Sequence, residues 1–163
     1  MDNGLVAGRR PNIPQCDDEG PHTFNFQLST LMQYTFETLM VTRDYECDIQ
    51  GIVNNANYLH YTEHTRHLFL KSRGLSFAEM HRNGIDAVVA RMNLQYKAPL
   101  TGDEEFRSCL NLKKEGLRYV FMQDIYRAAD NKLCFKAVID VVCMVNGRLS
   151  GCDELDRALG LDC

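Results

Sequence analysis

Apolar and polar residues alternate through most of the second half of this chain. From Leu133 to Val145 every odd position is apolar: Leu133, Phe135, Ala137, Ile139, Val141, Cys143 and Val145. A period of two marks a strand with one buried face, and Asn146-Gly147 follows as a hairpin turn. The same period sets Ala90, Met92, Leu94 and Tyr96 opposite Arg91, Asn93, Gln95 and Lys97, closed by Pro99 and Gly102. Phe106, Leu110 and Leu112 then oppose Arg107, Asn111 and Lys113, up to a turn at Glu115-Gly116. Residues 118–129 are apolar on both faces in their first half, as in a central strand or under a covered surface. Asp130-Asn131 makes the next turn.

Upstream the pattern differs. A strand is expected over residues 34–45, then a loop holding Asp48 and Gly51, then a helix entered near Asn55 and stopped about 17 residues later at Gly74. At about 100° per residue, Tyr58, Tyr61, Thr62, Thr65, Leu68 and Phe69 gather on one side, and His60, His64, His67 and Lys71 on the other. Such a helix buries its aromatic side and turns its histidines to solvent or to a partner subunit. Residues 76–83 add one more turn ended by Gly84, and residues 153–161 are weakly helical with Asp153 as N-cap.

Short turns between long strands mean antiparallel neighbours. The expected class is therefore α+β, with a long central helix wrapped by a five-stranded antiparallel sheet, six-stranded if the alternation of Phe24, Phe26 and Leu28 forms a strand. Residues 1–22 hold three of the four prolines and little periodicity, and read as a flexible tail before a single domain over residues 23–163.

Composition narrows the function. A formal charge of −4 and no basic run longer than two residues give nucleic acid nothing to bind. No apolar stretch approaches the ~18 residues of a membrane span, and the opening residues lack the apolar core of a secretion signal, so a cytoplasmic location is expected. Seven cysteines, at 16, 47, 109, 134, 143, 152 and 163, form no C-x-x-C pair and read as separate reduced thiols.

The segment from Asp48 to Arg66, D-I-Q-G-I-V-N-N-A-N-Y-L-H-Y-T-E-H-T-R, resembles the signature of hotdog-fold acyl-CoA thioesterases of the 4-hydroxybenzoyl-CoA thioesterase type. The matching positions are Asp48, Gly51, Ile52, Val53, Tyr58 and Glu63, and the strand order extends the likeness over roughly residues 34–146. The resemblance implies a thioester hydrolase, working as a homodimer or homotetramer with sites at subunit interfaces. It implies no cofactor, CoA being part of the substrate. It makes Asp48 the nucleophile or general base and the Asn55 backbone N–H the donor that polarises the carbonyl, with Glu63 as a second candidate carboxylate. Gly51, Val53, Asn54 and Tyr58 would contact substrate. Val53-Asn54-Asn55 is also similar to acyl-carrier-protein thioesterases, although Ile52 and Gln50 stand where those carry histidine and asparagine. A non-catalytic acyl-CoA-binding module is the alternative from outside enzymology.

Each of these residues also has a plainer reading. Asp48 beside Gly51 can be a turn residue that fixes its own backbone; Glu63 can pair with Arg66 at i,i+3; Asn54 can cap the helix. His60, His64 and His67 have a spacing that can bind zinc, but lie on the solvated face. Cys47 adjoins Asp48 and has no activating base placed beside it. Arg118, Arg127 and Lys132 can meet CoA phosphates or simply be solvated.

Overall fold

The computed structural model describes residues 33–161. Six strands, β1 (Phe36–Val41), β2 (Ile85–Tyr96), β3 (Glu105–Glu115), β4 (Arg118–Arg127), β5 (Leu133–Val145) and β6 (Arg148–Ser150), form one antiparallel sheet. Its order is β1-β3-β4-β5-β2, with β6 paired to β5. Three helices accompany it: α1 (Asn55–Ser72), α2 (Phe77–Arg82) and α3 (Asp153–Leu159). The sheet curls around α1, as the alternation predicts. The sixth described strand is the short β6 after the Asn146-Gly147 turn, both of whose residues have positive φ; residues 24–28 lie outside the described residues.

α1 begins and ends where its sequence says. The Asn54 side chain accepts the Ala56 N–H at 3.0 Å, and Gly74 takes φ +77° while Leu75 N–H donates back to the Leu70 carbonyl at 3.0 Å. The helix buries Tyr58, Tyr61, Phe69 and Leu70 against the inward side chains of the sheet, each worth roughly 2 kcal/mol of apolar burial. Tyr61 lies 4.7 Å from Phe106, and Tyr58 5.1 Å from Phe135, centroid to centroid.

Several expectations are corrected. β1 stops at Val41 rather than running to Tyr45, because Arg43 and Glu46 form a reciprocal cap that closes Asp44–Glu46 into a 3-10 turn. Leu68 is only half-buried, and Arg66 and Leu70 take the inward position, since α3 docks on their side of α1. Arg66 does not bridge to Glu63; its Nη1 donates inward to Gln123 Oε1 at 2.8 Å. Asp153 is the first residue of α3, and Cys152 occupies the cap position.

The largest departure concerns β2. Met92, Leu94 and Tyr96 do share the inward face, opposite Ile139, Ala137 and Phe135. A bulge at Ala90 breaks the register, and Met92 and Tyr96 stay 40% and 49% exposed. A face apolar enough to be buried is partly open, β2 being the last strand of the sheet among the described residues. By contrast β4, between β3 and β5, buries Tyr119, Val120 and Phe121 in succession, the central strand its composition predicts.

Candidate active site

The loop before α1 is a tight local structure. Cys47 and Val53 face each other as an antiparallel bridge, Asp48 N–H donates to the Ile52 carbonyl at 2.9 Å, and Gly51 N–H to the Asp48 carbonyl at 2.9 Å. Gly51 sits at φ +74°, which side chains disfavour. The Asp48 side chain also works in this turn: its Oδ1 accepts the Gln50 N–H at 2.8 Å. The turn reading of Asp48 therefore holds, and it uses one carboxylate oxygen; among the described residues no hydrogen bond engages the other.

A second segment braces the loop. Ile52 bridges to Thr101, Val53 N–H donates to the Leu100 carbonyl at 2.8 Å, and Leu100 N–H donates to the Tyr58 hydroxyl at 3.0 Å. Tyr96, at the end of β2, donates its hydroxyl to the Asn55 carbonyl at 3.1 Å and packs edge-on against Tyr58 at 5.6 Å. Between these walls lies an open cleft of about 390 Å³ lined by Asp48, Val53, Asn55, Tyr58, Tyr96 and Lys97, among others.

The helix N-terminus supplies the electrostatics. Asn54 caps Ala56 with its side chain, and Asn57 N–H donates to the Asn54 carbonyl at 3.0 Å. Among the described residues the Asn55 N–H has no acceptor. A carboxylate and an uncapped N–H at the positive end of a helix thus share one cleft, an arrangement suited to building negative charge on a carbonyl oxygen.

Of the residues singled out from sequence, Asp48, Val53, Asn55 and Tyr58 come together here. Gly51 shapes the turn and Asn54 is the cap; neither lines the cleft. Glu63 is elsewhere: two turns along α1, it stands 3.9 Å from His67 on the solvent side and at the rim of a different hollow. His60, His64 and His67 are exposed. At Cys47, desolvation and the carboxylates of Asp48, Asp44 and Glu46 push the thiol pKa up, away from the thiolate a nucleophile needs. Arg118 is held by Asp140 and Glu115, and Arg127 by Glu104, Asp130 and the Pro99 carbonyl; Lys132 is exposed. Sequence reasoning missed Tyr96 and Lys97, whose place at the end of an alternating strand just before Pro99 was the available signal.

Residues 42–156 match the model of the family described as the thioesterase-like superfamily. Over 100 residues the chain is 31% identical to a putative acyl-CoA thioesterase, YneP, of Bacillus subtilis, covering 61% of this chain and 72% of that protein. Over 70 residues it is 37% identical to the chloroplastic acyl-acyl carrier protein thioesterase ATL3 of Arabidopsis thaliana, covering 43% of this chain and 37% of that one. The match spans 55% of the length of a putative esterase of Aquifex aeolicus and 37% of that of ATL3. A crystal structure of a hypothetical protein from Aquifex aeolicus superposes with a TM-score of 0.71 at 28% identity, covering 76% of this chain and 98% of that one. Among the described residues no helix is long and apolar enough to cross a membrane.

Proposed function

The chain belongs to the thioesterase-like superfamily and has its hotdog fold, and from that premise we propose that it hydrolyses an acyl-CoA thioester to a carboxylic acid and free CoA. The observation that carries the reading is that Asp48 and Asn55, the first residue of α1, line the same cleft. The thioester carbonyl would accept the Asn55 N–H at the helix N-terminus, where the dipole favours the developing oxyanion. Asp48 would attack the carbonyl carbon or take the proton of an attacking water. The thiolate leaves without a strong general acid, and the residues present call for no cofactor. Lys97, on the cleft lining, is placed to meet an anionic part of the substrate.

The same reading includes a second copy of the chain. β2 is twelve residues long, open along one edge among the described residues, and guarded by no proline; Asp86 and Arg91 are its charged residues. Edges of this kind are normally paired or covered. Antiparallel pairing of β2 with its own copy would cover Val88, Val89 and Met92 and bring the Tyr96 ends, hence the clefts, to the interface.

The Val53-Asn54-Asn55 segment and the likeness to ATL3 favour acyl-carrier-protein thioesters as the second reading. Released thiol, measured over short, long and aromatic acyl-CoAs and over matched acyl-carrier-protein thioesters, tests both. A kcat/KM at least tenfold higher on CoA thioesters is expected; a reversed order selects the carrier-protein reading. Saturable acyl-CoA binding with no turnover on any substrate would leave a binding module on the same fold.

A further inference from the structure

We propose that the hollow beside Arg66 is a binding site for a carboxylate carried on a short apolar body. It lies between α1, the sheet and α3, has a volume of about 80 Å³, and is walled by Leu70, Tyr119, Phe121, Leu155 and Leu159. Arg66 is 7% exposed, and the bond from Nη1 to Gln123 Oε1 is its one hydrogen bond among the described residues. Gln123 is spent holding it, since its Nε2 donates to the Thr62 carbonyl at 3.0 Å. A guanidinium carries five N–H donors in a planar fork, so four of Arg66's have no protein acceptor among the described residues, and the residue lines the hollow.

A buried charge in that condition is costly. Burial pushes the pKa of Arg66 down, against the opposing pull of the Glu63 charge. Glu63 offsets that penalty only in part. Glu63 is at the rim with its side chain 58% exposed, 3.9 Å from His67 Nε2. Asp156 is occupied by Lys114 and by the Tyr119 hydroxyl. A carboxylate is the group whose two oxygens match the fork. At roughly 10–15 Å³ per water-sized group, the hollow holds about six heavy atoms, the size of butyrate. The ligand is a free short-chain acid: Arg66 lies about 16 Å along α1 from Asn55, beyond the reach of the far carboxyl of a short acyl group held in the Asp48 cleft. The site is separate from the Asp48 cleft, and binding there does not depend on thioester hydrolysis.

The test is titration of the isotope-labelled full chain with sodium butyrate, followed through backbone amide shifts of α1 and α3, with butanamide as the neutral isostere. Saturable shifts are expected with butyrate, and binding about tenfold weaker or worse with butanamide and in Arg66→Met. Asp48→Asn should bind butyrate like the wild type, which separates this result from the fate of the thioesterase reading. Leu159→Phe fills the hollow from α3 with Arg66 intact; it should lose binding and still melt cooperatively, which keeps the test valid if Arg66→Met fails to fold. Absence of saturable shifts in the wild type, equal binding of butanamide, or undiminished binding in Leu159→Phe would each overturn the proposal.

Discussion

Asp48→Asn isolates chemistry from architecture. In the native turn Asp48 Oδ1 accepts the Gln50 N–H at 2.8 Å. The amide oxygen of asparagine can accept the same bond, and the residue is half-buried rather than enclosed. The loss of stability should therefore be about 1 kcal/mol or less. What asparagine cannot supply is a carboxylate to attack the thioester or to take a proton from water. Loss of such a group raises the barrier by about 3 kcal/mol, a fall in kcat on the order of 100-fold. KM should move much less, since the cleft walls at Val53, Tyr58 and Tyr96 are untouched. Steady-state release of thiol, with a thermal melt of the same preparation, reads both quantities. Glu63→Gln is the control, because Glu63 lies outside the Asp48 cleft. A fully active Asp48→Asn beside a dead Glu63→Gln would refute the assignment and move the reaction to the helix carboxylate.

Three further outcomes follow from the same geometry. Sedimentation at micromolar concentration should show a dimer or tetramer, and a monomer would remove the proposed pairing through β2. Chelation and dialysis should leave activity whole; a loss restored specifically by zinc would give His60, His64 and His67 a role their exposed face does not suggest. Asn54→Ala should cost about 1 kcal/mol through loss of the bond to Ala56 N–H, lowering the melting temperature by a few degrees, and an unchanged melt would mean the cap is not stabilising α1.

Legibility in the sequence tracked how local each determinant is. β3, β5 and the limits of α1 rest on alternation and caps within a few residues, and they emerged as read. The turn at Asp44–Glu46 depends on the reciprocal bonding of Arg43 and Glu46, which alternation does not register. Arg66 looked like a surface partner for Glu63 because both lie on one helix at i,i+3; its true partner, Gln123, is 57 residues away on β4. The apolar face of β2 was read correctly as a face that wants burial, but among the described residues β2 is the last strand and nothing lies beyond it. In the candidate site, the motif located Asp48, Val53, Asn55 and Tyr58, while Tyr96 and Lys97 reach the cleft only through the packing of β2 against α1.

The brace between the Asp48 loop and the β2–β3 connection is made largely of main-chain atoms: Val53 N–H to the Leu100 carbonyl, Leu100 N–H to the Tyr58 hydroxyl, and the Ile52–Thr101 bridge. Main-chain donors and acceptors are the same whatever residue carries them. The spacing between the carboxylate and the helix N-terminus is thus insulated from most substitutions in the surrounding walls. Side chains such as Gln50, Lys97 and Ala98 can be exchanged to reshape the cleft while Asp48 and Asn55 hold their places. On the proposed mechanism, substrate range and chemistry are separable in this loop, so descendants of one sequence can diverge in diet without rebuilding the reaction.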